Sequence, residues 1–434
     1  MALDIIARGL AATEIARQKR LRVLNSLRAT IGRAAMQPLS LAAVLPTIGA
    51  ATAATAIATG TSWQVATGGV ALHAAKFTFA GAAWKCPAGG FPNTEYYKPE
   101  VSHQGNGSDP TTNPSYSGRV RFALDAPSFE IWVQCGPAGA GVGFRLKVDG
   151  QYVKTGMIGN DGNGLFRYIP VTWGAGAAAD RKTRYYELEF TAVGGFQGIR
   201  TTNLYKPSPW PQPDGLRVIA HGDSMLGTQV DSGNLDTFLT PPMGLGLGDL
   251  LGQCDTWTSG TGGAGWYTPT NHLQSWFNDR VALDVVANAP DVVIEMGGGN
   301  DESVLTLGTV TQAAYQATVE TWIGAVLAAK PETVIFMFGP ILTGASYALG
   351  HTRCRDAKAA AAAKWPRNVA FIDNLADPWF TGTGRQGATA SDGNRDWAVG
   401  NDGAHPTMEG HRYLASRVAR AVAGAIPGLI AAQG

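Results

Sequence analysis

From residue 216 onward, short and wholly apolar runs recur between long stretches with helical spacing, and few folds accommodate that pattern. The runs are Arg217-Val-Ile-Ala-His, Asp291-Val-Val-Ile-Glu-Met, Thr333-Val-Ile-Phe-Met-Phe and Val369-Ala-Phe-Ile-Asp. The helical stretches are Thr311 to Ala329, Cys354 to Lys364, and about Thr407 to Ala423. A strand that is apolar on both sides needs cover on both faces. The pattern therefore predicts a parallel sheet between two helix layers, an α/β domain over 207–434. In such sheets reactive groups collect at the carboxyl ends of the strands.

The preceding 61–206 has a different period. Arg119-Val-Arg-Phe-Ala-Leu, Phe129-Glu-Ile-Trp-Val-Gln and Tyr185-Tyr-Glu-Leu-Glu-Phe alternate in character as half-buried strands do. Phe144-Arg-Leu-Lys-Val and Gln151-Tyr-Val flank Asp149-Gly150, a hairpin turn in which both positions need positive φ. Short strands between Gly, Pro and Asn clusters predict an antiparallel β-sandwich of jelly-roll type. Pro207, Pro209, Pro211 and Pro213 form a stiff linker and place the boundary near residue 207. Residues 1–60 are alanine-rich with apolar residues at three- and four-residue steps among arginines. They read as one or two amphipathic helices, either packed on their own molecule or serving as an anchoring or oligomerisation arm.

Composition excludes several classes. With 34 Lys+Arg against 33 Asp+Glu, bulk charge does not recruit nucleic acid. The four cysteines, Cys86, Cys135, Cys254 and Cys354, form no close pair, which argues against zinc. They read as buried thiols or as one or two disulfides, such as Cys86 with Cys135. No metal, cofactor or nucleotide is implied, because the glycine runs fit neither a P-loop nor a dinucleotide fingerprint. No signal peptide opens the chain. The apolar stretch from Leu41 to Ala58 holds Pro46 and Gly49, so it reads as a docking segment rather than a membrane span.

Three segments carry chemistry. The first strand ends in His221-Gly-Asp-Ser224-Met225-Leu226, where a serine past a parallel strand stands exposed but needs a base to become nucleophilic. The second ends in Gly297-Gly-Gly-Asn300-Asp301, which lets backbone approach a ligand and fixes the Asn300 amide as a donor. The last helix follows Asp402-Gly-Ala-His405-Pro, in which the carboxylate can fix the imidazole that faces the serine. The G-x-S-x-G elbow is absent, since Leu226 takes its last position. Each segment alone is an ordinary turn; their order at strand ends gives the combination its weight. His221 is read as packing under the nucleophile turn, His411 as a surface or core residue, and Asp301 as tying down the Asn300 loop.

Together these segments resemble the SGNH hydrolases, also called the GDSL family, over roughly residues 216–425. Gly222-Asp223-Ser224, Gly298-Gly299-Asn300-Asp301 and Asp402-Gly-Ala-His405 correspond to its first, third and last blocks. The resemblance implies Ser224 as nucleophile, His405 as general base and Asp402 as its orienting partner. It also implies an oxyanion hole of the Ser224 N–H, a block-two glycine N–H and the Asn300 side chain. Within Ser259-Gly-Thr-Gly-Gly-Ala-Gly-Trp266 that glycine is assigned to Gly263, with Gly262 and Gly265 as alternatives. Met225 stands where the family's nickname has leucine. A β-sandwich before such a domain is similar to the second carbohydrate-esterase family, which implies O-acetyl esters of carbohydrate as substrate. Trp257, Trp266, Trp379 and Trp397 either stack on sugar rings or fill the core. The opening dozen residues resemble some phage tail proteins, which implies virion attachment through the arm, an extracellular or virion-associated setting and a bacterial polysaccharide as target. A glycan-binding adhesin without turnover, and an acyltransferase or a small-ester esterase using the same site, are the competing readings.

Overall fold

The computed structural model describes residues 2–34, 42–67, 70–85, 98–100, 118–134, 144–154, 158, 166–190, 195–210, 215–226, 243–253, 255–267, 277–344 and 347–434. Cys86, Cys135 and Cys254 lie outside them, whereas Cys354 is a buried free thiol.

The C-terminal domain is built on five parallel strands: β1 (Val218–Asp223), β2 (Thr256–Thr261), β3 (Val292–Met296), β4 (Val334–Phe338) and β5 (Val369–Ile372). Their spatial order is β2-β1-β3-β4-β5, so the chain reverses its direction of progress between β1 and β3. A crevice opens at such a switch point, and both chemistry-bearing strands flank it. Alternate residues of β1, β3 and β4 point to opposite layers. Val218, Ala220, Ile294 and Phe336 pack with Leu247, Leu414 and Val418, whereas Ile219, Val293 and Ile335 pack with Val319, Trp322 and Ala357. The first layer holds α1 (Ala2–Ala34), α2 (Met243–Leu251) and the last helix; the second holds α3 (Gln312–Ala329) and α4 (Leu349–Ala362). The last helix, α5 (Met408–Ala431), passes the length and composition test for a membrane span. Its buried stripe of Leu414, Val418, Val422 and Ile426 instead forms part of this core.

The second half of α1 lies on the α/β domain: Val23, Leu24 and Leu27 enter its core, Arg20 bonds Gln433 at 2.9 Å and Lys19 bonds Glu332 at 2.9 Å. Burying such aliphatic side chains contributes about 1.5–3 kcal/mol each. The described part of the Leu41–Ala58 stretch joins the sandwich, with Thr47–Ile48 pairing onto Phe166–Thr172.

The sandwich has one antiparallel sheet of five strands, Thr47–Ile48, Phe166–Thr172, Ser128–Gln134, Gly195–Thr201 and Thr61–Gln64. The other runs Gln151–Tyr152, Phe144–Val148, Arg184–Phe190, Gly118–Leu124 and Ser208–Pro209. The Asp149-Gly150 turn takes φ of 50° and 84°, as a two-residue hairpin of this kind requires. Gly118–Leu124 and Phe144–Val148 are buried along their whole length rather than half-buried. The reason is that their charged face is covered. Arg119 and Lys147 reach Asp249 of α2 at 2.7 and 3.0 Å and share Glu189 at 3.1 and 2.6 Å. Burial pushes the neighbouring Glu187 carboxyl up, but Arg119, Lys147 and Arg121 outweigh it and hold it at about 2. Buried charges of this sort survive only when paired, so the sandwich is keyed to the α/β domain by complementary ions.

Candidate functional site

At the end of β1 the chain turns sharply into a single 3₁₀ turn, Ser224–Leu226. Gly222 is required there because a Cβ would collide with the Met296 carbonyl of β3. The Asp223 carboxylate accepts the Met225 N–H at 3.0 Å and shapes the turn, while Met225 and Leu226 anchor it in the core. Burial pushes the Asp223 carboxyl up to about 6, partly offset by the Met225 N–H and by the charges of Lys358 and His405. Arg280, itself buried, clamps the two strand ends from beneath by donating to the Gly222 carbonyl at 3.2 Å and the Ser259 carbonyl at 2.8 Å.

Past β3, Gly298 adopts φ of 103°, and a Cβ there would stand 2.6 Å from Cys354 Sγ and 2.9 Å from Tyr315 Oη. Only glycine fits. Two residues on, Asn300 Nδ2 donates to the Ala264 carbonyl at 2.9 Å, which binds this segment to the loop after β2. Asp301 reinforces that link: its buried carboxylate accepts the N–H groups of Trp266 (2.8 Å) and Tyr267 (2.9 Å) and the Tyr315 hydroxyl (2.9 Å). On the loop so held, Gly263 has φ of 69°, is exposed, and its N–H meets no acceptor among the described residues. Gly262 is half-buried and Gly265 is buried against the Asp301 carboxylate.

The third element is the loop before α5. His405 Nδ1 lies 2.5 Å from Asp402 Oδ2, and Asp402 Oδ1 accepts the N–H groups of Ala404 (2.9 Å) and His405 (3.0 Å). Burial pushes the Asp402 carboxyl up, but these bonds outweigh it and hold it below the usual carboxylate range. The loop is fixed from the β4 side by Thr343 Oγ1, which donates to the Ala404 carbonyl at 2.8 Å. Thr407 caps α5 by accepting the Gly410 N–H at 2.9 Å. Neither Ser224 Oγ nor His405 Nε2 is hydrogen-bonded to a described residue. Catalytic hydrogen bonds are commonly long before substrate binds. Ser224, Gly263, Asn300, Asp402 and His405 thus all sit on loops at the carboxyl edge of one sheet. Among the described residues, no group of three or more His, Cys, Asp or Glu is placed to hold a metal ion.

Of the four tryptophans, three are not available for sugar stacking at this edge. Trp266 is fully buried against Phe277 and Trp322. Trp379 packs on Phe338 in the core. Trp257 pairs with Ile219, four residues before the position that pairs with Asp223, which is about 13 Å along the strand. It packs under the Arg217 guanidinium instead. Trp397 alone stays 44% exposed; it stands edge-on to Tyr413, and its carbonyl accepts the Thr407 hydroxyl. His221 is buried beneath the turn, stacked on Trp322, with neither nitrogen hydrogen-bonded among the described residues, and burial drives its pKa well down. His411 is a core residue of α5. The supporting groups Arg280, Thr343 and Lys358 carry no local sequence signal, because each reaches its partner across the fold.

Residues 222–413 match the model of the GDSL-like lipase/acylhydrolase family. A search of curated proteins by sequence returned no match. Among solved structures, a family two carbohydrate esterase from Clostridium thermocellum, in complex with cellohexaose, aligns at 16% identity with a TM-score of 0.51, covering 73% of this chain and 95% of that one. An acetyl xylan esterase from the rumen bacterium Butyrivibrio proteoclasticus aligns at 12% identity with a TM-score of 0.53, covering 84% and 97%. A salicylyl-acyltransferase from a tetracycline biosynthetic pathway aligns at 12% identity with a TM-score of 0.54, covering 85% and 98%. At these identities the likeness speaks for the two-domain fold.

Proposed function

We propose that this chain, whose residues 222–413 match the GDSL-like lipase/acylhydrolase family model, is a carboxylic ester hydrolase that removes O-acyl groups, acetyl foremost, from carbohydrate through Ser224, His405 and Asp402. Ser224 Oγ attacks the ester carbonyl while His405 takes its proton, and Asp402 holds the imidazole tautomer that allows this. The N–H groups of Ser224 and Gly263 and the Asn300 amide face the oxyanion. Each such donor contributes about 3–4 kcal/mol to the transition state. His405 then protonates the leaving sugar hydroxyl, and water repeats the cycle on the acyl-enzyme.

The observation that carries the reading is the 2.5 Å Asp402–His405 couple, held at the same sheet edge as the turn bearing Ser224. The choice of sugar ester rests on two supports. One is the β-sandwich keyed to the catalytic domain, an organisation shared with the carbohydrate esterases named above. The other is the exposed Trp397 ring beside the His405 loop. The extracellular or virion-associated setting, with attachment through the N-terminal helix, belongs to the same proposal.

Acetate release from a panel of acetylated polysaccharides, with wild type and Ser224→Ala, tests it. Release by the wild type alone supports the reading; equal release by both, or none from any polysaccharide, refutes it. A second reading, acyl transfer to an acceptor other than water, is favoured by the likeness to the salicylyl-acyltransferase over nearly all of that enzyme. Partition of a p-nitrophenyl ester's acyl group between water and an added sugar alcohol separates the two.

A further inference from the structure

The inward face of α4 runs along the Asn300 loop. Gly350, Cys354 and Lys358 follow one another at four-residue steps, which places them on one side of the helix. At the first step, the Gly350 N–H donates to Thr306 Oγ1 at 2.9 Å, and a Cβ on Gly350 would strike the Glu302 carbonyl. At the second, Cys354 Sγ and the Tyr315 hydroxyl, 3.1 Å apart, fill the space beside Gly298. At the third, the fully buried Lys358 reaches across the domain to the end of β3. Its Nζ donates to the Gly297 carbonyl at 2.9 Å and lies 2.6 Å from Glu295 Oε2.

Neither Lys358 nor Glu295 takes part in the proton transfers assigned above. A buried ion pair is weak as a source of stability, and apolar residues of the same volume commonly do as well. Its location is what distinguishes this one. Glu295 is the penultimate residue of β3, and the carbonyl that Lys358 holds is three residues before Asn300. Burial pushes the Glu295 carboxyl up to about 7 even against the Lys358 charge, so without the lysine this site would not retain a carboxylate.

We propose that Lys358 is a positioning residue for the oxyanion-stabilising loop: oriented by Glu295, its ammonium fixes the Gly297 carbonyl and, through Gly298 and Gly299, the Asn300 amide. This rests on the reading that Ser224 and Asn300 act in ester hydrolysis. A misplacement near 1 Å costs about 100-fold in rate. Lys358→Met, which keeps the length of the side chain, lowers kcat on p-nitrophenyl acetate by roughly 10- to 100-fold, with KM changed less than about threefold.

Because the single variant leaves the Glu295 carboxyl buried without its partner, the deciding protein is the double variant Lys358→Met/Glu295→Gln, in which a neutral amide takes its place. Its melting temperature returns toward wild type while its kcat stays low. The rise in melting temperature on phosphonylation of Ser224, which places an oxyanion in the hole, is smaller than in wild type. Glu295→Gln alone keeps the Lys358–Gly297 bond and retains most of kcat. A double variant with kcat within about threefold of wild type and an undiminished phosphonate shift overturns the proposal, as does a fall in kcat for Glu295→Gln as large as that for Lys358→Met. Should the double variant not fold, Lys358 is a structural residue and the proposal is likewise overturned. Ser224→Ala run alongside keeps the two claims apart: turnover persisting there sinks the hydrolytic assignment, whatever Lys358 does.

Discussion

Asp301 carries a burden that can be worked out from its contacts. Its Oδ2 accepts the Trp266 N–H at 2.8 Å and the Tyr315 hydroxyl at 2.9 Å; its Oδ1 accepts the Tyr267 N–H at 2.9 Å. Asp301→Asn preserves shape but turns one of these oxygens into a donor. With Oδ2 replaced, the Trp266 N–H faces a donor and the Tyr315 hydroxyl must turn from donating to accepting, so both bonds to a carboxylate are lost. Hydrogen bonds to a charged acceptor contribute about 1.5–3 kcal/mol each, so losing two lowers stability by about 3–6 kcal/mol. For a domain of this size that is a fall of about 10 °C in melting temperature. The activity loss has a separate origin. Asp301 holds the loop that bears Gly263 to the segment that bears Asn300, so loosening it misplaces an oxyanion donor, worth about 100-fold or more in kcat. Thermal melting followed by fluorescence, and p-nitrophenyl acetate hydrolysis well below the transition, measure the two effects. A variant that melts about 10 °C lower but keeps kcat within about threefold of wild type refutes the link between this carboxylate and the hole.

Further consequences concern other buried charges and the one exposed tryptophan. Asp223→Asn keeps an acceptor for the Met225 N–H and removes a charge that burial disfavours. The native carboxyl is raised from 3.8 to about 6, so wild type, relative to the variant, is most stable below pH 3.8 and loses about 3 kcal/mol as pH rises to 6. Urea titrations at several pH values show this, and parallel profiles for both proteins contradict it. Asp249→Ala strips Arg119 and Lys147 of a shared partner at the domain interface and lowers stability by about 2 kcal/mol. It also splits unfolding into two transitions, whereas a single unshifted transition shows that the domains are held otherwise. Trp397→Ala raises KM on an acetylated oligosaccharide by about tenfold and leaves p-nitrophenyl acetate kinetics unchanged. Equal effects on both substrates rule out a sugar contact.

Four of the five parallel strands were legible because each is a short apolar run, three of them buried along their whole length. The fifth, Thr256–Thr261, was not: Thr-Trp-Thr-Ser-Gly-Thr holds no apolar run, although Thr256, Thr258 and Ser259 are buried. The Asp149-Gly150 hairpin was legible from its turn chemistry alone. The closed polar face of Gly118–Leu124 was not, since alternation reports that a face is charged and not what covers it. In the site, Ser224, Asn300, Asp402 and His405 announce themselves because their residue types recur within short segments at strand ends. Arg280, Lys358 and Thr343 act across 58, 61 and 61 residues of chain, a separation that leaves no local trace. Tryptophan content was a poor guide to the binding surface: Trp266 and Trp379 fill the core, as aromatic side chains of that area most often do.

The central claim is that the Ser224 hydroxyl is the group made nucleophilic by the Asp402–His405 couple. Incubation with a p-nitrophenyl alkylphosphonate, followed by peptide mass spectrometry, reads this directly. A single adduct on Ser224, formed at a rate that collapses in His405→Ala and absent from Ser224→Ala, is the predicted result. Adduct on another residue, or labelling of Ser224 that proceeds at the wild-type rate without His405, contradicts it.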